Sequence, residues 1–255
     1  MISNFFEILL LSLIQGVSEF LPISSAAHLI LASNIYEFKN QSLLIDISLH
    51  LGSLLAILFY FRNEIFNLKN NLNLFYKIII ATIPLVIIGY FLYSTGIIYE
   101  LRNIKVIAWT TFGGAILLHI ADRRKIFNNL ENSFNYKSAL IIGLFQILAL
   151  IPGTSRAGIT ITAGRILEFN RTDSTKISFY LSIPALAGAS AIGIKDLLKE
   201  NIEFNFIVLV GIFLSFVFSL ITIKYFLKFI KKFSFKIFVF YRIILSLILL
   251  YIIYF

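Results

Sequence analysis

Acidic, hydroxyl, imidazole and guanidinium side chains lie inside two of the most apolar parts of this sequence. Glu19 is followed within nine residues by Ser25 and His28, and much later in the chain Arg156 follows Thr154. Serine, histidine and a carboxylate close together supply the parts of an activated nucleophile. Arginine beside hydroxyl groups is suited to bidentate binding of a phosphate or carboxylate. These residue types predict chemistry on, or binding of, an anionic ligand.

Burial of Glu19 costs the most free energy among these groups, because apolar residues such as Val17 and Phe20 flank it. A charge at the centre of an apolar segment costs a few kcal/mol on insertion scales, so it indicates a functional site. Gln15 lies four residues earlier, on the same helical face. Arg156 needs a partner for the same reason, and Glu19 or a bound anion would serve. An ion pair that only stabilises the fold is the structural alternative.

The segment around Arg156 has a glycine on each side, Gly153 and Gly158. Glycine lets the backbone approach a ligand closely, while Thr154 and Ser155 add hydroxyl donors. The segment is not a Walker loop, since the Gly-Lys-Ser/Thr ending is missing. Helix caps and packing contacts are equally common uses of intramembrane hydroxyls. We interpret two further histidines, His50 and His119, as structural.

The amino-acid composition indicates the class of protein to which these residues belong. Of 255 residues, 59% are hydrophobic and 14% charged, against about a quarter charged in a soluble domain. The absence of cysteine excludes disulfides and thiolate sites. The net charge of +9 comes from basic residues at the ends of apolar runs, which indicates membrane topology rather than nucleic-acid binding. We therefore predict an all-α polytopic membrane protein. Its six predicted spans are Leu43–Phe61, Phe75–Tyr93, Ile104–Ile120, Ser174–Ile194, Phe206–Tyr225 and Ile237–Ile253.

Two further apolar segments, Phe5–Ala32 and Ala139–Ile166, are each broken by a proline followed by hydroxyl residues. Each half is too short to cross a bilayer, which predicts re-entrant helical hairpins. Aligned on their prolines, both breaks read Pro-x-x-Ser, and three predicted spans follow each. The single membrane domain, 1–255, is thus predicted to contain two repeats, about 1–125 and 126–255.

The odd number of spans between the hairpins predicts that the repeats are inverted. Most basic residues, including those in 123–125 and 228–236, then fall on one side, which the positive-inside rule makes cytoplasmic. The hairpins enter from opposite faces, so their tips meet near the bilayer centre. Two helix N-termini directed there favour an anion.

The stretch from Gln15 to His28 resembles the first signature of the bacterial undecaprenyl-diphosphate phosphatases, also called bacitracin-resistance proteins, and Pro152–Gly158 resembles the second. The resemblance covers nearly the whole chain. It implies hydrolysis of undecaprenyl diphosphate to undecaprenyl phosphate and phosphate, which recycles the lipid carrier for peptidoglycan synthesis and gives bacitracin resistance. It also implies a multi-pass protein of the bacterial cytoplasmic (inner) membrane, in contact with its lipids, with an active site open to the outer face.

Motif matching implies a residue set for this activity. The catalytic residues would be Glu19, Ser25, His28 and Arg156, and the substrate-binding residues Gln15, Ser24, Gly153, Thr154 and Ser155. A divalent cation, Mg²⁺ or Ca²⁺, is also implied, with Glu19 as a ligand. Gln15 stands where many members have glutamate, which weakens a two-carboxylate metal site. Ala157 stands where many have serine, so one possible hydroxyl ligand is missing.

Several alternatives stay open. The nucleophile is Ser25, His28 or a water activated by Glu19. A transporter of a phosphorylated lipid would also have inverted repeats with broken helices. A purely structural membrane subunit would not explain Glu19 and Arg156. Homo-oligomerisation, the lipid length and any flipping of the product are undetermined.

Overall fold

The computed structural model describes residues 2–36, 43–66, 68–199 and 206–255, and these form helices joined by short turns. The first half contains α1 (Ile2–Ser18), α2 (Ser25–Tyr36), α3 (Leu43–Tyr60), α4 (Arg62–Phe66), α5 (Leu68–Ser94), α6 (Ile97–Glu100) and α7 (Ile104–Asp122). The second half contains α8 (Leu130–Ser133), α9 (Tyr136–Gln146), a 3₁₀ turn (Ile147–Leu150), α10 (Arg156–Ile166), α11 (Arg171–Lys199), α12 (Phe206–Ile230) and α13 (Lys236–Tyr254). The prediction of an all-α polytopic membrane protein is confirmed.

Five helices in the described part of the chain are long and apolar enough to cross a membrane. Their spans are Leu72–Ser94, Ile104–Asp122, Arg171–Ile194, Phe206–Ile230 and Lys236–Tyr254. The predicted span Leu43–Phe61 forms α3, whose apolar part, Leu44–Tyr60, ranks among the shorter helices. At about 1.5 Å per residue, this part of α3 is slightly shorter than the hydrocarbon core, about 30 Å thick.

Many large apolar side chains, such as Ile87 and Phe213, lie on the surface of this protein, while small hydroxyl residues lie inside beside apolar ones. Between α3 and α12, Ser219 donates to Ser53 at 3.0 Å, and Ser215 donates to the Leu49 carbonyl at 2.7 Å. Small residues let helices approach, and their hydroxyls bond across the interface, as is typical of membrane helix packing.

Both predicted hairpins form, with α1 and α2 as the arms of the first and α9 and α10 as the arms of the second. Arm α1 packs against α12 of the second half, and α9 packs against α5 of the first. Gly16 permits the first contact, because a Cβ atom there would lie 2.5 Å from Phe218 Cβ. Each hairpin is thus fixed by the other half of the chain. The boundaries and inverted orientation of the repeats stay predictions.

Candidate active site

The tips of the two hairpins share an unusual helix start. Ser24 and Ser155 each precede a helix and have positive φ angles, 79° and 69°. Each serine Oγ accepts a hydrogen bond from the backbone N–H three residues later, Ala27 at 3.5 Å and Gly158 at 3.0 Å. Serine is a favoured N-cap, but a left-handed backbone is uncommon for it. The shared geometry fixes where the first residue of each following helix projects.

These caps correct the alignment of the two breaks. Alignment on the prolines pairs Ser25 with Ser155, whereas the caps pair Ser24 with Ser155. The register therefore shifts by one residue, and Ser25 becomes the counterpart of Arg156. Both are the first residue of their helix, α2 and α10. Two of the predicted catalytic residues thus occupy equivalent places in the two hairpins.

Glu19 joins these two positions. Its Oε1 atom accepts a hydrogen bond from Arg156 Nη2 at 2.7 Å, and its Oε2 atom accepts one from Ser25 Oγ at 2.6 Å. The residue is only 8% exposed. Next to it, the Phe20 ring packs edge-on against Phe179, with centroids 5.4 Å apart. A carboxylate so placed in an apolar core is stabilised by its charge-assisted bonds.

Gln15 is the third group on this carboxylate, because its Nε2 atom donates to Glu19 Oε2 at 3.1 Å. The same atom also lies 3.4 Å from Ser53 Oγ. The cap-based register aligns Gln15 with Gln146, since each lies nine residues before its cap. Gln146 is fully buried. The predicted position of Gln15 next to Glu19 is therefore found, and its role there is to orient the carboxylate.

Arg156 contacts both halves of the molecule. Besides Glu19, its guanidinium donates from Nη1 to the Ser178 carbonyl on α11 at 3.0 Å. The side chain is 11% exposed. Arginine has five N–H donors, and two of them make these bonds, so others are available to a ligand. The arrangement presents a cation beside a helix N-terminus, which suits an anion.

A cavity of about 210 Å³ opens beside these residues. Five of the predicted site residues line it: Glu19, Ser24, Ser25, Ser155 and Arg156. The other four, Gln15, His28, Gly153 and Thr154, do not. The cavity adjoins a larger one, about 720 Å³, here called the vestibule, with which it shares six lining residues. Shared residues include Ala26, Pro152 and His50.

His28 faces away from this cavity. Its Nδ1 atom donates to the Ser24 carbonyl at 2.6 Å, which leaves Nε2 to accept from the Tyr241 hydroxyl at 2.5 Å. Its ring also stacks on Tyr241, with centroids 5.6 Å apart. Both ring nitrogens are therefore used within the protein. In this structure His28 bonds the Ser24 turn and Tyr241, and its catalytic role stays a prediction.

Gly153 and Thr154 also turn their carbonyls away from the cavity. Arg242 on α13 donates from Nη2 to both of these carbonyls, at 3.0 Å each, and from Nη1 to the Pro22 carbonyl at 3.3 Å. The positive φ of Gly153, 91°, belongs to this turn. A fully buried arginine thus connects the tips of both hairpins. This role could not be predicted from residue spacing, because Arg242 lies more than 80 residues from either tip.

The acidic and imidazole groups in the described ranges form no cluster of three or more that could bind a metal ion. Both oxygens of Glu19 already accept hydrogen bonds, from Arg156, Ser25 and Gln15. Gln15 adds no negative charge. These residues therefore do not fit a metal site built from protein ligands alone, and the divalent cation stays a prediction.

Comparison with known proteins identifies the family. The family model described as "Bacitracin resistance protein BacA" matches residues 8–248. The chain belongs to this family.

Relatives in the family match over nearly their whole length. The chain is 56% identical over 255 residues to the "Undecaprenyl-diphosphatase" of Pelagibacter ubique (strain HTCC1062), covering 100% of both chains. It is 42% identical to the protein of the same name from Hahella chejuensis (strain KCTC 2396), covering 94% of this chain and 95% of the relative. The family predicted from the two motifs is confirmed.

Proposed function

We propose that this chain hydrolyses undecaprenyl diphosphate to undecaprenyl phosphate and inorganic phosphate. The observation that supports this most is the Glu19 carboxylate, which binds the first residues of both hairpin helices at the wall of a cavity. The names of the relatives specify the same substrate and reaction. The recycled lipid carrier would serve peptidoglycan synthesis, and its rapid recovery would give bacitracin resistance.

Ser25 is the proposed nucleophile. Its hydroxyl donates to Glu19 at 2.6 Å, so the carboxylate can take the proton as Ser25 Oγ attacks the terminal phosphorus. The bond from that phosphorus to the bridging oxygen breaks, and undecaprenyl phosphate leaves. Water then attacks the phosphoserine, releases phosphate, and Glu19 returns the proton to Ser25. The position of His28 outside the cavity favours Ser25 over His28 as the nucleophile.

Arg156 and the N-terminus of α10 would stabilise the charge of the transferred phosphoryl group. Phosphoryl transfer depends chiefly on positioning and electrostatics, and both donors are fixed before the substrate arrives. Among the described residues that line the small cavity Glu19 is the one carboxylate, so a Mg²⁺ or Ca²⁺ ion would be bound mainly by the diphosphate oxygens. The cation requirement is tested by adding EDTA.

The vestibule supports access from the outer face. Its lining includes Asp46 near the start of α3, Tyr99 and Arg102 at the turn before α7, and Gly193 late in α11. These helix ends lie opposite the basic segments 123–125 and 228–236 in the predicted topology. The site would thus receive a lipid diphosphate from the outer leaflet of the bacterial cytoplasmic membrane. Self-association of the chain stays a prediction.

The deciding experiment measures phosphate release from undecaprenyl diphosphate by the purified protein in detergent, without a membrane gradient. We expect cation-dependent release that falls by about 10³-fold or more in Ser25→Ala and Glu19→Gln. Ser246→Ala is the matched control, because Ser246 is also a hydroxyl in a membrane helix and bonds only the Ile243 carbonyl of its own helix. Near-normal turnover by Ser25→Ala would exclude covalent catalysis at this residue. No release by folded wild type would favour a transporter.

A further inference from the structure

His50 lies on α3, across the site from the two hairpin tips. It is partly exposed, and it lines both the small cavity and the vestibule. From the sequence it is interpreted as a structural histidine, because a lone histidine in an apolar segment usually has a structural role. Among the described residues, however, it is the imidazole that lines the small cavity together with Glu19, Ser25 and Arg156. Its position therefore requires a separate explanation.

The hydrogen bonding of His50 leaves one ring nitrogen available. Nδ1 donates to the Asp46 carbonyl at 2.6 Å, one helical turn earlier, which fixes the orientation of the ring. Within the described part of the chain, Nε2 makes no hydrogen bond to the protein. His28 differs, because both of its nitrogens are used. A fixed ring with a free nitrogen at a cavity wall is suited to contact a ligand.

The place of His50 along the site indicates which part of a ligand it would meet. Ser25 and Arg156 line only the small cavity, whereas His50 lines it together with the vestibule. In the described part of the chain, the charged groups that line the two spaces are Glu19, Arg156, Asp46 and Arg102. With its terminal phosphorus at Ser25, a diphosphate would extend its second phosphate toward the vestibule, and the lipid tail would leave through that space.

We propose that His50 binds the substrate through Nε2–H, as an imidazolium that donates to the lipid-linked phosphate of the diphosphate. This inference rests on the proposed function, because it takes the diphosphate as the ligand. A protonated ring donates from both nitrogens, so the bond to Asp46 is kept while Nε2 binds phosphate. His50 is then a substrate-binding residue, and its loss affects affinity more than the chemical step.

The test measures binding and turnover separately in the full-length protein in detergent. The binding probe is a methylene-bridged diphosphonate analogue of a short polyprenyl diphosphate, which cannot be hydrolysed. We expect His50→Leu to weaken binding of the analogue, and to raise KM for phosphate release, by about tenfold or more, with kcat changed less than threefold. His50→Gln keeps an N–H donor without the charge, so its loss of affinity for the analogue should be smaller than that of His50→Leu. His119→Leu, on α7 and outside both cavities, should match wild type.

Each outcome distinguishes between the two proposals. Weaker binding in His50→Leu, with His119→Leu unchanged, supports the role of His50 even if the wild type releases no phosphate. In that case only the proposed hydrolysis is contradicted. Equal affinity of wild type and His50→Leu for the analogue overturns the inference, as does a wild type that does not bind the analogue. A loss confined to kcat also overturns it, because binding would then not depend on this ring.

Discussion

Arg156 Nη2 lies 2.7 Å from Glu19 Oε1, and this contact joins residues 137 positions apart on the two helical hairpins. The other Glu19 oxygen, Oε2, accepts a hydrogen bond from Ser25, which is the structural counterpart of Arg156. The two hairpins therefore contribute different chemistry from the same position. One supplies a hydroxyl group, the other a guanidinium, and a single carboxylate orients both.

Arg156→Lys tests whether the planar guanidinium is needed. Lysine keeps the charge but cannot bond Glu19 and the Ser178 carbonyl through two separate nitrogens as Arg156 does. We expect phosphate release to fall by about 100-fold. Lys236→Arg, at the start of α13, tests whether exchanging the two cationic residue types is harmless elsewhere. Turnover within threefold of wild type in Arg156→Lys would mean that charge alone is sufficient.

His28→Leu tests whether this histidine supports the turn at Ser24. The change removes the bond to the Ser24 carbonyl and the stacking on Tyr241. Since Ser25 follows directly, its hydroxyl should lose its fixed position, and we expect kcat to fall about tenfold or more while KM stays within twofold. Tyr241→Phe keeps the stacked ring, so its kcat should fall less than that of His28→Leu. A His28→Leu enzyme with normal kcat would contradict this positioning role.

Ser155 combines a helix cap with a left-handed backbone, and two substitutions separate these features. Ser155→Gly loses the hydroxyl but adopts φ 69° without strain, so we expect a stability loss of a few tenths of a kcal/mol. Ser155→Ala loses the cap and keeps the strain that serine already has, so its loss should be that of the cap, about 1 kcal/mol. Thermal unfolding in detergent measures both. Alanine as stable as glycine here would contradict the left-handed conformation.

Arg242→Met tests the connection between the hairpin tips. The substitution leaves the buried carbonyls of Pro22 and Thr154 without the donor that Arg242 supplies, whereas that of Gly153 keeps Thr111 Oγ1 at 3.3 Å. Each unsatisfied group costs about 1–3 kcal/mol, so we expect a clear fall in the unfolding temperature together with lower kcat. Arg242→Lys retains the charge with one nitrogen and should recover part of the stability. Unchanged stability in Arg242→Met would show that water replaces these bonds.

The family, the membrane class and both hairpins could be predicted from the sequence because each depends on local information. Long apolar runs determine membrane burial, and a proline followed by hydroxyls in such a run ends one helix and starts another. The pairing of Glu19 with Arg156 was also predictable, since two costly charges in apolar segments require partners. Its geometry confirms that expectation.

The tertiary structure decided which side chains share the cavity. His28 is close to Ser25 in sequence, yet its ring points to Tyr241, whereas His50 reaches the cavity from a different helix. Arg242 reaches both hairpin tips from the last helix. Side-chain direction depends on backbone dihedrals and on helix packing between distant segments. These contacts have no counterpart in local residue spacing, so the sequence by itself determined the chemical groups, and the fold determined which of them meet.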